Sequence, residues 1–368
     1  MADKQITSQQ IWLNQQDLSQ VKTVERQIDC TDLTANQVVL KIESFGFSAN
    51  NITYALLGNK MGYWGFFAAE PSWGIVPVWG FATVVASAAP GIEVGERLFG
   101  YLPMASHWLV EAGKLSAYGF FDVHPQRKSI APVYDNYLRC AQDAGYDSNK
   151  EALQMNIRPL FMTSFVLDDY VGEQINPTLE RIVITSASSK TAYGTAHLLH
   201  KHRQARQLNY QIIGLTSEAN QGFTQQLGCY DQVISYSQAG ELRTDQTTWL
   251  LDFAGNKNLL ITLQQALGNK LEKTLFIGAT DVDAQHNKPA GQLTGEMFFA
   301  PAQVKKRSHE WGQQGFAQRY AQAWSSFAAL IENKLEVAEY EGFEQVVSVY
   351  QQALAGRLSN WQINLLRF

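Results

Sequence analysis

Residues 181–194 read RIVITSASSKTAYG, and this stretch decides the fold. The apolar run Ile182-Val183-Ile184 is typical of a buried strand, and small polar residues lead from it into a helical pattern over 192–200. A strand, a tight turn and a helix in this order can place a phosphate on backbone N–H groups at the positive end of a helix dipole. The usual G-x-G-x-x-G glycines are absent before Gly194, where serine, lysine and alanine stand instead.

Three interpretations of this turn remain open. In the first, the turn is a dinucleotide site rebuilt with small side chains, and the pyrophosphate is bound by Ser188, Ser189, Lys190 and Thr191. In the second, the fold has lost its ligand and a serine only caps the helix. In the third, the serine-rich turn binds a different anion, such as a phosphate ester. The first interpretation predicts that Lys190 contacts a cofactor phosphate.

Strands and helices alternate from residue 181 onward, which predicts a parallel, doubly wound sheet with right-handed crossovers. The expected strands are 181–186, 210–216, 231–236, 248–253 and 273–279, and the expected helices are 190–203, 219–228 and 257–268. Residues 9–110 contain short strands separated by Gly and Pro turns, as in a barrel or sandwich. The remaining expectations are helices over Tyr134–Ala144, Leu160–Tyr170, 310–331 and 343–355, and a closing strand over Trp361–Phe368.

Composition excludes several classes of protein. The net charge of −5 offers no basic patch for nucleic acid, and no apolar run approaches the roughly 20 residues that span a membrane. The first ten residues lack the apolar segment of a secretory signal, so we expect a cytoplasmic protein. Cys30, Cys140 and Cys229 are too sparse for a disulfide framework or a C-x-x-C zinc lobe.

Several short motifs occur in a familiar order. They are Val39–Gly58, Pro77–Tyr101 with Val94–Gly100 as its clearest part, Val183–Tyr236, Leu251–Gly255, Phe276–Gly278 and Glu344–Phe368. Their order and spacing resemble the medium-chain dehydrogenase/reductase superfamily, especially its zinc-free quinone-oxidoreductase and enoyl-reductase branch. More narrowly, the chain resembles a divergent bacterial domain-of-unknown-function group within it. The resemblance implies an α/β protein with a GroES-like barrel over about 1–155, completed by 331–368, a Rossmann domain over 156–330, and a cleft between them.

The resemblance also carries expectations about the reaction centre. Zinc-dependent members have a cysteine and a His-Glu pair where this chain has Ser48, Phe81 and Ala82, so no catalytic zinc is expected. In the enoyl-reductase branch a tyrosine donates a proton near the substrate carbonyl, and Tyr63 is its counterpart here, with Ser48 and Asn51 at the neighbouring motif positions. The alternative is that Tyr63 only packs among the many aromatic residues of 61–81.

The tip of the second Rossmann strand indicates the cofactor. Thr216, Ser217 and Asn220 make it rich in polar groups, and an acidic residue directly at the tip is absent, which favours NADP and leaves NAD open. The resemblance adds further cofactor contacts at Tyr236, Phe253, Gly255 and Gly278.

Together these features predict a zinc-independent, NADP(H)-dependent reductase of a carbonyl or a carbonyl-conjugated double bond, acting on a small molecule with apolar bulk. The alternative is a non-catalytic Rossmann protein that binds NADP or another ligand, or serves as a scaffold. A homodimer is possible, and neither nucleic acid nor a membrane is an expected partner. We expect the pair Asp168-Asp169 to be a solvated helix face, and the basic run 305–307 to be solvated or to bind an anion.

Overall fold

The chain crosses twice between two units, Met1–Asn156 with Leu335–Phe368, and Ile157–Lys334. The computed structural model describes residues 4–60, 62–127, 132–242, 245–277 and 293–368. Within these ranges, the first unit contains β1 Gln5–Asn14, β2 Val21–Asp29, β3 Gln37–Phe47, α1 Ala49–Leu56, β4 Trp73–Gly74, β5 Pro77–Ser87, β6 Arg97–Pro103, β7 His107–Ser116, β8 Gly119–Asp122, β9 Asn136–Arg139, β16 Glu336–Glu341, α7 Phe343–Leu354 and β17 Gln362–Arg367.

Six strands of the first unit close into an antiparallel barrel. β3 pairs with β5, and the ladder continues through β6, β9, β8 and β7 before β7 returns to β3. Val38, Leu40 and Ile42 of β3 alternate toward the core, and Val39 on the opposite face is also fully buried. Gly80 of β5 permits a close crossing, since a Cβ there would lie 2.4 Å from the Ser44 carbonyl oxygen. Closure leaves these strands without a free edge.

The C-terminal residues complete this unit. β17 pairs antiparallel with the end of β3 and parallel with β16. Val346, Val349 and Tyr350 of α7 and Leu366 of β17 are fully buried in the same core as the barrel strands. The predicted closing strand is therefore confirmed, and the core of the unit is built from both ends of the chain.

The helix predicted over Tyr134–Ala144 is wrong. The structure has the short strand β9 there, between 3-10 turns. Tyr137 of β9 is 1% exposed and packs on Gly100 of β6, where a Cβ would lie 2.4 Å from its ring. Pairing with β6 and β8 thus overrides the local helical pattern.

The second unit contains a parallel sheet flanked by helices. Its elements are most of α2 Glu151–Gln174, then β10 Arg181–Ile184, α3 Lys190–His202, β11 Gln211–Thr216, α4 Gln221–Gln226, β12 Gln232–Ser235, β13 Thr248–Asp252, α5 Lys257–Leu267, β14 Leu271–Phe276, β15 Glu296–Met297 and α6 Ala300–Ile331. The described strands follow the order β12-β11-β10-β13-β14-β15 and are all parallel. This is the Rossmann order 3-2-1-4-5-6, so the predicted fold class is confirmed.

Several predicted boundaries are corrected. The helix expected over 219–228 is a 3-10 turn followed by the short α4, and the strand expected over 273–279 is β14. α2 is longer than the predicted Leu160–Tyr170, and α6 begins ten residues before the predicted 310 and bends at Gly312, whose φ is 71°. These differences lie at element ends, where local sequence signals are weakest.

Gly194 sets the approach of α3 to α2. A Cβ at Gly194 would lie 2.7 Å from the Ser164 hydroxyl, which donates a hydrogen bond to the Thr191 carbonyl oxygen at 2.8 Å. Phe161 stacks on Phe327 of α6, with ring centroids 4.6 Å apart. The first turn of α3 is therefore fixed from behind by α2.

Candidate functional site

The candidate cofactor site of the second unit lies at the carboxyl edge of its parallel sheet. β10 is the central strand from which the chain order runs in opposite directions, toward β11 and toward β13. In open α/β sheets, ligands bind at this switch point, outside the carboxyl ends of the strands. The segments that follow these strands, 185–189 and 253–255, are therefore the first place to examine.

The turn between β10 and α3 keeps its shape without glycine. Ser186 holds a left-handed φ of 50°, and the Ser189 N–H donates to its carbonyl oxygen at 2.8 Å. The Ala187 N–H donates to Leu215 of β11 at 2.9 Å, and the Tyr230 hydroxyl donates to the Ala187 carbonyl oxygen at 2.8 Å. The left-handed position is thus Ser186, and Ser189, where the family pattern led us to expect a glycine, has φ −77°.

Ser188 and the tip of β11 meet behind this turn. Both Ser188 and Thr216 are buried, and their hydroxyls lie 3.1 Å apart. At the tip itself, the Asn220 side chain donates to the Ser217 hydroxyl at 3.0 Å. The Ser237 hydroxyl donates to Glu218 at 3.1 Å, so the ends of β11 and β12 are tied together. The structure therefore brings the predicted residues Ser188, Thr216, Ser217 and Asn220 to one edge.

Lys190 is the first residue of α3 and is partly buried. Burial lowers the pKa of its ammonium to about 8. Among the ion pairs formed by described residues, none involves Lys190, so a cation lies at the positive end of a helix without an acidic partner there. An anion bound at this position would offset both the burial of the ammonium and its repulsion by the positive end of the helix dipole.

The turn after β13 is held by Asp252 and Thr185, which the sequence analysis did not single out. The Thr185 hydroxyl donates to Asp252 at 2.5 Å and accepts the Phe253 N–H at 2.9 Å. The Gly255 N–H donates to the other Asp252 oxygen at 3.1 Å. Burial raises the pKa of Asp252. These bonds fix the backbone of the predicted contacts Phe253 and Gly255 in the turn at the switch point, and the sequence signal for this turn is Leu251–Gly255 with its D-x-x-G spacing.

Two further residues, Tyr236 and Gly278, were predicted to contact the cofactor. Tyr236 follows β12 directly, and Ser186 of the turn interacts with its phenol through side chain and backbone, although burial still raises the pKa of Tyr236. Gly278 lies outside the described residues.

In the first unit, Ser48 and Asn51 form the N-terminal cap of α1. The Ser48 N–H donates to the Asn51 side-chain oxygen at 2.9 Å, and the Asn51 side-chain nitrogen donates to the Pro77 carbonyl oxygen at 3.0 Å. Asn51 is buried, and its amide oxygen and nitrogen are both engaged in these bonds. The pair therefore anchors α1 to β5.

Tyr63 belongs to a group of aromatic side chains that we call the tyrosine cluster. Its members are Tyr54, Tyr63, Phe66, Trp79, Tyr101 and Tyr134. Tyr63 lies edge-on to Tyr54 at 5.1 Å between ring centroids and stacks on Phe66 at 5.7 Å. Burial raises the pKa of Tyr63. The packing alternative and a proton-donor role are both compatible with this half-buried phenol.

The positions of the zinc ligands in zinc-dependent relatives hold no metal-binding side chains. Phe81 is fully buried, and its ring lies 5.1 Å from Phe99. Ala82 is buried beside it and Ser48 caps α1. Within the ranges that the structure describes, no group of three or more His, Cys, Asp or Glu side chains is arranged to hold a metal ion.

Of two charged motifs, Asp168-Asp169 differs from expectation, whereas in the basic run Lys305 and Lys306 are exposed as expected and Arg307 is partly buried. Asp168 is not solvated: it is 3% exposed and pairs with Arg206 at 2.8 Å and with His202 at 2.7 Å. In the basic run, Lys306 pairs with Glu173 and Arg307 with Asp169, both at 2.6 Å. These ion pairs join α2 to α3 and α6. Lys306 and Arg307 are therefore already paired with carboxylates and do not form a free anion site.

Solved reductases share this architecture. The mitochondrial 2-enoyl thioester reductase heterodimer Etr1p/Etr2p from Candida tropicalis matches with a TM-score of 0.59 and 15% identity over 99% of this chain and 100% of that chain. The complex of Etr1p with NADP and crotonyl-CoA gives 0.60 and 15% over the same shares. The yhdH oxidoreductase from Salmonella enterica in complex with NADP gives 0.54 and 14% over 98% and 99%.

The chain therefore has the fold of the medium-chain dehydrogenases and reductases, a GroES-like barrel with a Rossmann sheet. It belongs to the family described as "Protein of unknown function (DUF2855)", whose model matches residues 45–359. No curated protein matches the sequence. None of the helices in the described ranges is long and apolar enough to cross a membrane.

Proposed function

We propose that the protein is a zinc-independent, NADP(H)-dependent oxidoreductase that reduces a carbonyl group or a carbonyl-conjugated double bond of a small molecule with apolar bulk. The observation that carries the proposal is Lys190, a partly buried cation without an acidic partner among the described ion pairs, at the N-terminus of the first Rossmann helix. Two structures with this fold contain NADP, which supports the choice of cofactor.

The residues at the sheet edge fit a dinucleotide. The turn 186–189 and Lys190 would hold the pyrophosphate, and Thr216, Ser217 and Asn220 would hold the adenosine ribose and its 2′-phosphate. Tyr236, Phe253 and Gly255 would line the remainder of the site. The chemistry that NADPH supplies when bound is the transfer of a hydride, with oxidation to NADP.

The first unit would provide the proton and the substrate surface. The raised pKa of Tyr63 keeps its phenol protonated at neutral pH, so it can donate a proton to the reduced substrate, with an ordered water as the alternative donor. Ser48 and Asn51 would act by positioning α1. Half-buried aromatic rings around Tyr63 favour a substrate with apolar bulk.

The test is calorimetric titration of the protein with NADPH, NADP and NADH, followed by assays with carbonyl compounds, enones and quinones. Lys190→Ala should weaken NADPH binding about tenfold, roughly 1.4 kcal/mol. The matched control is Lys201→Ala on the same helix, whose ammonium donates to the Ser326 hydroxyl at 2.9 Å. Absence of NADPH and NADH binding at millimolar concentration would defeat the enzyme proposal.

A second candidate is a non-catalytic Rossmann protein that binds NADP or another ligand. Asn51 favours it, because its amide oxygen and one of its amide N–H groups anchor α1, which is a structural role. Binding of NADPH without its consumption across the whole substrate panel would support this candidate.

A homodimer belongs to the proposal as well, and one matching structure is a heterodimer. Sedimentation equilibrium over a range of concentrations tests it, and a monomer at every concentration would remove it.

A further inference from the structure

The tyrosine cluster contains an unusual convergence of hydroxyl groups. Tyr54 lies edge-on to Tyr63 and to Tyr101, with centroids 5.1 and 5.7 Å apart, and Tyr101 lies 4.8 Å from Tyr134. Phe66 completes the circle, since it contacts Tyr63 at 5.7 Å and Tyr134 at 5.4 Å. Four tyrosines from separate segments thus pack into one connected group of rings.

The floor and the rim of this arrangement differ in exposure. Tyr101 and Phe66 are buried at its base, whereas Tyr54, Tyr63, Trp79 and Tyr134 keep part of their surface exposed. Trp79 lies 4.9 Å from Tyr101 and 6.3 Å from Tyr134. The base of the cluster therefore belongs to the core, whereas its rim is partly exposed.

The Tyr101 hydroxyl is the main anomaly. It is buried and makes no hydrogen bond of normal geometry with any described residue. Leaving a buried hydroxyl unbonded destabilises a fold, so the fold alone gives no reason to keep it. Beside burial, the leading causes of its raised pKa are the Tyr54, Tyr134 and Tyr63 phenols. The hydroxyl therefore faces the other three phenols.

These hydroxyls interact chiefly within the cluster, Tyr101 with Tyr54 and Tyr134 with Tyr63, so a ligand oxygen would replace contacts between phenols. The Asn50 side chain donates to the Tyr54 oxygen at 2.9 Å, which leaves the Tyr54 proton available. Phenols that stay protonated at neutral pH present neutral donors on an apolar surface. Such donors suit an oxygen that gains negative charge, as in an enolate, better than a permanent carboxylate or phosphate, which needs a cation.

We propose that the tyrosine cluster binds the oxygen of a planar, conjugated carbonyl ligand, and that Tyr101 and Tyr134 donate hydrogen bonds to it alongside Tyr63. The inference rests on the proposed reductase function, because it names the part of the substrate that the first unit recognises. The planar ligand would lie against Trp79 and Phe66, and its oxygen would meet the phenols. The Tyr101 hydroxyl would then serve ligand binding and lower the stability of the fold.

The test uses 4-nitrophenol, a planar ring whose visible absorption separates the phenolate from the neutral phenol. The full-length protein is titrated without NADPH, so a failure of cofactor binding does not affect the outcome. We expect the bound probe to have a lower pKa than the free probe, and to bind at least tenfold tighter than nitrobenzene, which lacks the oxygen. Tyr101→Phe should remove most of both effects, and so should Tyr134→Phe, whose half-buried ring tolerates the change.

The control is Tyr350→Phe, whose buried hydroxyl donates to the Leu18 carbonyl oxygen at 2.6 Å. It should leave probe binding unchanged and lower the unfolding temperature, whereas Tyr101→Phe should unfold at the same temperature as the parent or a higher one. Equal binding of 4-nitrophenol and nitrobenzene, or parental binding by both Tyr101→Phe and Tyr134→Phe, would overturn the proposal. NADPH binding that persists while the probe fails would leave the proposed function standing and remove only this inference.

Discussion

The hydroxyls of Thr216 and Ser188 lie 3.1 Å apart, and this contact joins the end of the second Rossmann strand to the turn after the first. In a glycine-rich turn the backbone alone makes this approach. Here two buried side chains and the Tyr230 hydroxyl on the Ala187 carbonyl do so. The turn is therefore fixed by tertiary hydrogen bonds, which makes its shape sensitive to substitutions outside it.

The protonation of Lys190 should make NADPH binding depend on pH. Burial lowers its pKa to about 8, so the free protein loses the ammonium charge as the pH rises through that value. We expect the NADPH affinity of the parent to fall between about pH 7 and pH 9, while that of Lys190→Ala stays level. Calorimetric titrations across this range measure both. Parallel pH profiles for the two proteins would contradict the phosphate contact.

Without cofactor, Lys190→Ala should be as stable as the parent or more stable, by about 0.3–1 kcal/mol, because a cation leaves the positive end of α3. The folded-state pKa of Lys190 is lowered, so the unfolded chain binds more protons at alkaline pH. The free energy of unfolding of the parent should therefore increase relative to that of the variant as the pH rises from about 8 toward the ordinary lysine pKa of about 10.4. Urea unfolding at several pH values tests the sign.

Ser186→Gly should stabilise the protein. Ser186 has a φ of 50°, a conformation that costs a non-glycine residue about 1 kcal/mol. The lost contact with Tyr236 offsets part of this gain. We therefore expect the free energy of unfolding, measured in urea, to rise by about 0.5 kcal/mol. Ser189→Gly is the control, since its φ of −77° gives glycine no advantage. Greater destabilisation by Ser186→Gly than by Ser189→Gly would refute the strain argument.

Two helical glycines should respond oppositely to alanine. Gly194→Ala places a Cβ 2.7 Å from the Ser164 hydroxyl and should cost about 1–3 kcal/mol, because α2 and α3 must separate. Gly222→Ala in α4 meets nothing within 4 Å and should gain up to about 1 kcal/mol from helix propensity. Denaturant midpoints compare them directly. If both substitutions changed the free energy of unfolding in the same direction, the helices α2 and α3 would be able to separate at little cost.

His197 should contribute to acid unfolding. Burial lowers its pKa to about 4, and its partly buried ring lies 5.3 Å from Phe327. Because the unfolded state holds the proton up to about pH 6.5, stability should fall as the pH drops from there toward 4, by about 1–2 kcal/mol. His197→Gln should flatten this slope, with the nearby Lys201 and His202 left in place. An unchanged slope would assign the acid sensitivity to other groups.

The sequence predicted five of the six described Rossmann strands, because alternation and buried apolar runs are local signals, and it missed the two-residue strand β15. The strands around Ile182–Ile184 and Leu250 follow directly from such runs. The same reasoning failed at Asn136–Arg139, where a four-residue strand depends on partners far away in the chain. Its short pattern has no period of its own, so it resembles a helix as well as a strand.

Part of the candidate site could be predicted from the sequence for the same reason. Residues 186–191 and 216–220 adjoin strands, so their meeting at one edge follows from parallel topology. Tyr54, Tyr101 and Tyr134 meet Tyr63 only because the barrel closes, and no spacing in the sequence encodes that. The left-handed Ser186 was missed because the family pattern directs attention to the later glycine positions.

The return of the chain to its first unit at Leu335 has a consequence for biosynthesis. A ribosome releases the barrel strands early, but Val346, Tyr350 and Leu366, which fill their core, leave the exit tunnel only after the Rossmann unit. The Rossmann unit is contiguous and lacks this delay. We therefore expect it to become protease-resistant on stalled nascent chains first, while the earlier-made barrel still exposes apolar surface and depends on chaperones.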